Sequence, residues 1–429
     1  MVGSDETSDI CLRRKFISTV GGLALTSAAG CLGITGDSGR EINDSQNSNG
    51  DGIEATEEPD IRRVGLGADT FEHLSDLETV GGKLSADTER HITGTQCAAL
   101  DTGADGAWLH IPLSEPLDFS NARPACYLAT DGTAAGKYLY LDLRDGDGNR
   151  FRTRTVVRGH EELIRVDFGI INPQVDDEAV DLENITQVSF RPGPRSESGT
   201  ETVYLDYPSR IKAPDTPKFV FQFDDGGETD YTQGFSYLSQ FDYPAITYVN
   251  TDTIGSNNYL NEKQLQELKA EGWLIGSHTT DHTNLTELSD SDEIERKVRD
   301  AKQWLVERGF TEGARHFAYP YNGIDEQALS VVSRYHDTGR VAGWQPVALP
   351  SNLQLIQGDG DPTLSEIQTL LDWATRYGGV VVVYYHSLRA EKDIEEFRAV
   401  VDEVHRRERA SDVEVIRLDE LYSLTKNMT

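Results

Sequence analysis

One stretch decides how the second half of this 429-residue chain is interpreted, and it reads Phe219-Val220-Phe221-Gln222-Phe223-Asp224-Asp225-Gly226-Gly227. Its first five residues are apolar and aromatic apart from one glutamine, which is typical of a buried β-strand, and the closing glycines indicate a turn. Between them stand two adjacent carboxylates. Because like charges and burial both raise the pKa of a carboxyl group, such a pair needs a positive partner. A metal ion is the simplest one.

This strand opens a series of alternating strand-like and helix-like runs. Strands are predicted at 219–224, 245–250, 273–278, 316–321, 353–357, 379–386 and 413–417, and helices at 261–271, 292–308, 325–335, 364–377 and 394–409. Repeated βα units predict a parallel sheet or barrel whose site lies at the carboxyl ends of the strands. The residues that stand at such ends are Asp224, Asp225, His278, Tyr321 and His386.

The predicted partner of the acid pair is a metal ion held by two histidines. His278 and His282 are four residues apart, so on a helical turn both rings would face the same way and grip one ion. With Asp225 they form a set of two nitrogen ligands and one oxygen ligand, which is typical of a catalytic zinc site that keeps an open position for water. The pattern therefore predicts a metal centre on the barrel rim.

At these residues the segment from Pro217 to about Thr425 resembles the polysaccharide deacetylases, the NodB-homology or carbohydrate esterase family 4 group. The family's first motif, Thr-Phe-Asp-Asp-Gly, corresponds to 222–226, and its second, His-Ser/Thr-x-x-His with a later Leu, corresponds to 278–285. The resemblance implies an α/β fold, a distorted (β/α) barrel. It also implies metal-dependent hydrolysis of N-acetyl groups, an amide C–N bond, on an extracellular or cell-surface polysaccharide.

The resemblance further implies a role for each site residue. Asp224 would be the general base, and His386 the acid that protonates the leaving amine. Tyr321 would offer its backbone N–H to the developing oxyanion. A divalent ion, expected to be Zn²⁺, would be held by the three metal ligands, which are Asp225, His278 and His282.

Two positions depart from the family pattern. The family's third motif has an arginine that orients the base, and here that position is Ala318, so Arg340 or Arg315 is a candidate substitute. The last motif has a leucine that lines an acetyl-methyl pocket, and here it is Tyr384. Two other functions therefore stay open: a catalytically impaired, glycan-binding surface protein, and an amidase of the same fold that acts on a non-sugar substrate.

The chain is strongly acidic. It has 73 Asp and Glu against 40 Lys and Arg, a formal net charge of −33. This balance argues against nucleic acid or anionic lipid as a partner. Because the acids are spread over both halves, the composition is similar to that of proteins from salt-loving archaea. Broad cation binding is the alternative interpretation.

The N-terminus is predicted to be an export signal. Residues 1–32 contain Arg13 and Arg14, an apolar run, and small residues before Cys31, which together resemble a twin-arginine signal with a lipobox. Residues 33–60 are Gly, Ser, Asn, Asp and Glu with few large apolar side chains, which predicts a disordered acidic tether. The protein is expected at the cell surface, lipid-anchored through Cys31 to the outer face of the membrane, or secreted.

Residues 61–213 show short alternating strands separated by turn residues, so a β-sandwich of jelly-roll type is predicted there. This region loosely resembles carbohydrate-binding modules, and a purely structural accessory domain is the alternative. Cys97 and Cys126 could form a disulfide or stay as buried thiols. The predicted protein thus has two folded domains, 61–213 and the deacetylase-like barrel 214–429, with an acetylated polysaccharide as partner.

Overall fold

The computed structural model describes residues 63–66, 69–102, 106–130, 137–173, 179–193 and 201–427. The predicted signal over 1–32 and the tether over 33–60 lie outside these residues. All of the described residues belong to one compact unit. Among the helices of this part of the chain, none combines the length and the apolar character that a membrane span requires.

Antiparallel strands build the first half of the described chain. They are β1 to β12, at Arg63–Gly65, Glu78–Val80, Lys83–Asp87, Cys97–Asp101, Trp108–Leu117, Ala122–Thr130, Lys137–Asp145, Arg150–Val157, Ile164–Asp167, Gly169–Asn172, Ile185–Pro192 and Thr202–Lys212. One sheet has the order β3-β4-β12-β6-β9, with β1 also paired to β12, and the other has the order β10-β8-β7-β11-β5-β2.

The two sheets share one hydrophobic core. Leu100 and Leu205 of the first sheet and Leu141 and Val188 of the second are members of the same buried cluster. Strand β8 shows why: its side chains alternate between partly exposed and buried, so one face of the strand serves the core. These antiparallel sheets suggest the predicted sandwich, whereas its jelly-roll type and its domain limits stay predictions.

Both cysteines of this region are free, buried thiols. Cys97 lies on β4 and Cys126 on β6, and β12 runs between these strands. Two strand spacings amount to about 9.6 Å, more than the roughly 7 Å that a disulfide can bridge between Cα atoms. Burial raises the pKa of the Cys97 thiol to about 12, so it stays protonated at neutral pH.

The second half forms a parallel barrel, and this part of the prediction is confirmed. Its strands β13 to β20 lie at Lys218–Phe223, Ala245–Val249, Leu274–Ser277, His316–Ala318, Thr338–Ala342, Ile356–Gly360, Val380–Tyr385 and Glu414–Val415. The helices α1 to α7 lie at Ser236–Leu238, Glu262–Ala270, Ser291–Glu307, Glu326–Tyr335, Leu364–Tyr377, Glu391–Arg409 and Leu418–Asn427. Strand β13 pairs with both β14 and β19, so seven strands close on themselves, and β20 adds to the outside of β13.

Strand β13 shows how the barrel places its carboxylates. Phe219, Phe221 and Phe223 pack in the cluster that includes the helices, while Val220 belongs to the cluster of Ile246, Ile356 and Val382. Because side chains of a strand alternate between two faces, the even-numbered residues point to the barrel interior. Asp224 continues this interior row beyond the last residue of the strand.

Several elements of the barrel differ from the predictions: helix α7 was not predicted, and the strand expected over 316–321 ends at Ala318. The expected strand over 353–357 starts only at Ile356, after a helical turn at Leu353–Leu355. Strand β17 was not predicted at all. Its sequence, Thr-Gly-Arg-Val-Ala, has one large aliphatic residue, and the strand is nonetheless almost wholly buried because the barrel surrounds it.

Candidate active site

Asp224 forms a buried ion pair with Arg340 at the rim of the barrel. The Arg340 guanidinium contacts both carboxylate oxygens of Asp224, and the two side chains are 4% and 3% exposed. Burial by itself raises the pKa of Asp224, but the charges of Arg340, His278 and His386 outweigh it and the net shift is downward. The carboxylate is therefore ionised at neutral pH, as a general base requires.

Arg340 supplies the guanidinium that is absent at Ala318. The two residues are direct register partners on the adjacent strands β16 and β17, and Ala318 is fully buried. Arg315, the other candidate, points elsewhere, because its Nε donates to Asp337 Oδ2 at 2.6 Å. Asp224 thus receives its positive partner from strand β17, the neighbour of the strand that carries Ala318.

The second departure, Tyr384, lies against the same arginine. The Arg340 guanidinium stands 3.8 Å from the centroid of the Tyr384 ring, a stacking distance. Glycines of β18 leave room for this ring: a Cβ added at Gly360 would lie 2.7 Å from Tyr384 Cζ, and one at Gly358 would lie 3.2 Å from Cδ1. Tyr384 and Arg340 therefore form one packed unit beside Asp224.

The three predicted metal ligands come together. Asp225, His278 and His282 each offer an atom within 4.8 Å of the others, with His282 Nε2 3.1 Å and His278 Nε2 3.7 Å from Asp225 Oδ1. That buried oxygen accepts no hydrogen bond within the described chain. A buried carboxylate oxygen without a donor, facing two imidazoles, fits a divalent cation.

His278 is held in the tautomer that metal binding needs. Its Nδ1 lies 2.7 Å from the carbonyl oxygen of Ala318, which can only accept, so Nδ1 carries the proton. In a neutral ring this leaves a lone pair on Nε2, the atom that faces Asp225. Burial lowers the pKa of His278 to about 4, which keeps the ring neutral.

The turn that joins the two histidines is not helical, so this part of the prediction was wrong. After β15 the backbone enters the left-handed region at Thr279, with φ 68°, and again at His282, with φ 62°. The Thr279 hydroxyl accepts a hydrogen bond from the His282 backbone N–H at 3.1 Å. A side-chain bond within a tight turn therefore brings the second ring to the first.

His386 faces Asp224 from the end of β19. Its Nε2 lies 3.9 Å from Asp224 Oδ2, and its Nδ1 lies 2.7 Å from Asp361 Oδ2. Burial lowers the pKa of His386, but the hydrogen bond to Asp361 and the charges of three nearby carboxylates outweigh it and raise the pKa to about 9. With its side chain 48% exposed, the imidazolium is open to a substrate.

Sequence reasoning missed Asp361 and Asp230. Asp361 follows β18 and also accepts the backbone N–H of His386, so it fixes both the backbone and the ring. Asp230 is buried, accepts a 2.7 Å hydrogen bond from the Thr247 hydroxyl, and has a pKa well above its usual value because of burial. The position of Asp361 at a strand end was the signal that could have identified it.

Tyr321 lies next to the predicted metal ligands. Its side chain is 59% exposed, and its ring centroid is 4.4 Å from that of His282. Left-handed backbone concentrates around the site, since ten described residues other than glycine have positive φ and six of them are here: Asp225, Thr279, His282, Tyr321, Asn322 and Asp361. Such strain is typical of functional sites.

Comparison with known proteins identifies a family model and relatives that this chain resembles in sequence. Residues 212–338 match the family model described as Polysaccharide deacetylase. The chain is 24% identical over 233 residues to the poly-β-1,6-N-acetyl-D-glucosamine N-deacetylase of Staphylococcus epidermidis, a match that covers 51% of this chain and 79% of that protein. It is 26% identical over 123 residues to the putative polysaccharide deacetylase YxkH of Bacillus subtilis, covering 29% of this chain and 43% of that protein.

Among solved structures, a family 4 acetyl xylan esterase from Clostridium thermocellum in complex with a cobalt ion matches 48% of this chain and 91% of its own, with 15% identity and a TM-score of 0.36. The prediction of an enzyme, a hydrolase that acts on carbon–nitrogen bonds other than peptide bonds, is confirmed by the family and sequence matches. The matches thus support a polysaccharide deacetylase domain at 212–338, where the chain carries Asp224, Asp225, His278 and His282.

Proposed function

We propose that this chain removes N-acetyl groups from an acetylated polysaccharide in a metal-dependent reaction. The observation that carries the proposal is the juxtaposition of an ionised buried carboxylate, Asp224, with the ligand set of Asp225, His278 and His282. The Staphylococcus epidermidis relative is named for deacetylation of a poly-N-acetylglucosamine, which supports the same substrate class here.

A divalent ion on Asp225, His278 and His282, expected to be Zn²⁺, would polarise the amide carbonyl and make water a better nucleophile. Asp224 takes the proton of the attacking water, and Arg340 keeps this carboxylate ionised and fixed in direction. The Tyr321 backbone N–H stabilises the negative charge that develops on the carbonyl oxygen.

His386 is the acid of the proposed reaction. An amine leaves poorly as an anion, so the nitrogen must be protonated as the C–N bond breaks. His386 stands across from the base, and Asp361 keeps its ring protonated and oriented. The base and the acid therefore approach the scissile amide from two strands, β13 and β19.

The location is part of the proposal. The paired arginines, apolar run and Cys31 support export by the twin-arginine route and lipid attachment at the cell surface, and the net charge of −33 supports a salt-rich surrounding. The alternative of an impaired glycan-binding protein depended on the missing arginine at Ala318. Arg340 supplies the guanidinium that Ala318 lacks, which favours turnover.

The test is acetate release by the full chain. We expect acetylated glucosamine oligosaccharides to be hydrolysed, the activity to disappear after chelation and return with Zn²⁺, and His278→Ala to abolish both zinc retention and turnover. His405→Ala, at a histidine far along α6, is the matched control. If the chain retains zinc but releases acetate from no acetylated glycan, the proposal fails, and release from acetylated non-sugar amides instead would establish the amidase alternative.

A further inference from the structure

A row of arginine and aromatic side chains crosses the outer face of the second antiparallel sheet. The strand register places Arg154 opposite Tyr140, and Tyr140 opposite Arg191. The Arg191 guanidinium lies 5.1 Å from the centroid of the Trp108 ring, and Val80, 59% exposed, pairs with Trp108 on the edge strand. Three strand spacings of about 4.8 Å, from β8 to β5, give the row a length of about 14 Å. We call Arg154, Tyr140, Arg191 and Trp108 the arginine–aromatic row.

The row is continuous with the barrel. The Trp344 ring centroid is 3.8 Å from the Arg154 guanidinium, and the ring meets Tyr138 edge-on at 4.8 Å. Trp344 is fixed by its backbone N–H, which donates to Gln357 Oε1 at 2.9 Å. It follows β17 by two residues, and β17 carries Arg340, the partner of the base. The row therefore leads to the rim that holds the candidate active site.

The two arginines of the row carry charge opposite to the net charge of the chain. Within the described residues, neither Arg154 nor Arg191 is within ion-pair distance of a carboxylate, and each guanidinium is held against aromatic rings instead. Arg154 Nε has no hydrogen-bond partner there. Two residues along the same strands, Asp142 is fully buried under Arg152, and the Arg152 guanidinium contacts both oxygens of Asp142 at 2.7 and 2.9 Å. A protein with a net charge of −33 thus has, on one sheet face, fixed guanidiniums that no carboxylate of the described residues neutralises.

We propose that the arginine–aromatic row binds an anionic polysaccharide, one that carries carboxylate or sulfate groups. The planar fork of arginine matches two oxygens of such a group, and stacking on rings holds the fork in place before binding. The rings between the arginines offer flat apolar surface to the sugar units. The proposal rests on the proposed function only in its last step, that the bound polysaccharide is also the substrate of the barrel.

The test measures binding by the full chain to three polymers in a salt series: polygalacturonate, dextran sulfate and neutral dextran. We expect binding to an anionic polymer and none to dextran, and the comparison of the two anions identifies carboxylate or sulfate as the group recognised. Arg154→Ala with Arg191→Ala should weaken binding at least tenfold. Arg296→Ala with Arg409→Ala, exposed positions on α3 and α6, removes the same charge and should leave binding unchanged.

Three results would overturn the proposal: unchanged binding in the row variant, equal affinity for neutral dextran, or equal affinity for duplex DNA. Trp108→Ala should also weaken binding, and it tests the row by itself if the double variant melts at a lower temperature. Acetate release from a short neutral oligosaccharide should be unchanged in the row variants. His278→Ala should lose that activity and still bind the anionic polymer. This result separates a failure of the proposed deacetylation in the barrel from a failure of the proposed polymer binding at the row.

Discussion

Asp224 is a buried carboxylate that stays charged. Burial favours the neutral acid, and the guanidinium of Arg340, in contact with both oxygens, is the largest of the positive charges that reverse this effect on the pKa of Asp224. The two departures from the family pattern are linked at this point. Ala318 leaves the guanidinium to be supplied by its register partner, Arg340, and Tyr384 provides the flat surface on which that guanidinium stacks.

Replacing Arg340 should therefore disable Asp224, the proposed base. In Arg340→Ala we expect turnover to fall roughly 10²-fold or more, the scale of a lost general base. Since Arg340 lowers the pKa of Asp224, its loss should move the acidic limb of the pH–rate profile to higher pH. Unpairing a buried charge should also cost about 3–5 kcal/mol of unfolding free energy. Adding Ala318→Arg to this variant should restore part of the rate, and an unchanged acidic limb would contradict the assignment.

In the proposed reaction, Asp361 sets the alkaline limb of the pH–rate profile. His386, as the proposed acid, must be protonated, and its pKa of about 9 keeps it so through neutral pH. Asp361→Asn removes a carboxylate that raises this pKa, so activity should be lost at a lower pH on the alkaline side. The pH dependence of kcat/KM measures the shift. Asp372→Asn, an exposed carboxylate on α5, is the control, and an alkaline limb that stays in place would show that Asp361 does not act through His386.

At the scale of elements, the sequence predicted the strands that have a strong hydrophobic signal and missed the one that does not. The motifs predicted Asp224, Asp225, His278 and His282 and the strands that carry them. Strand β17 escaped prediction because it has little hydrophobic signal of its own and is buried by its neighbours. Arg340 could therefore be named as a candidate but not placed, since its position depends on the pairing of β17 with β16.

The glycines of β18 are expected to matter through packing. Gly360→Ala would place a methyl group 2.7 Å from Tyr384 Cζ, so Tyr384 and the arginine stacked on it must move. We expect a loss of about 1–3 kcal/mol of unfolding free energy. The fraction of the wild-type turnover rate that is lost should exceed the fraction of the unfolding free energy that is lost. Gly146→Ala, where the nearest atom is at 3.4 Å, is the matched control in thermal melts and rate assays. Equal effects at both glycines would contradict this role.

For the whole molecule, a net charge of −33 makes salt a structural variable. Like charges destabilise the compact state, and added salt screens them over a distance of about 3 Å at 1 M and about 10 Å at 0.1 M. The melting temperature should therefore rise steeply with KCl, most of all at low concentration. A melting temperature independent of salt would contradict the view that surface charge limits stability.

The same screening should weaken polymer binding at the arginine–aromatic row, because the attraction between guanidinium and anion decreases as salt is added. Stability and polymer binding should thus respond to KCl in opposite directions in one protein. In the Arg154→Ala, Arg191→Ala variant the rise in melting temperature should persist, because it depends on all surface charges, while the salt dependence of binding should diminish. Melts and binding isotherms recorded across one KCl series test both at once, and parallel changes in the two quantities would contradict the separation.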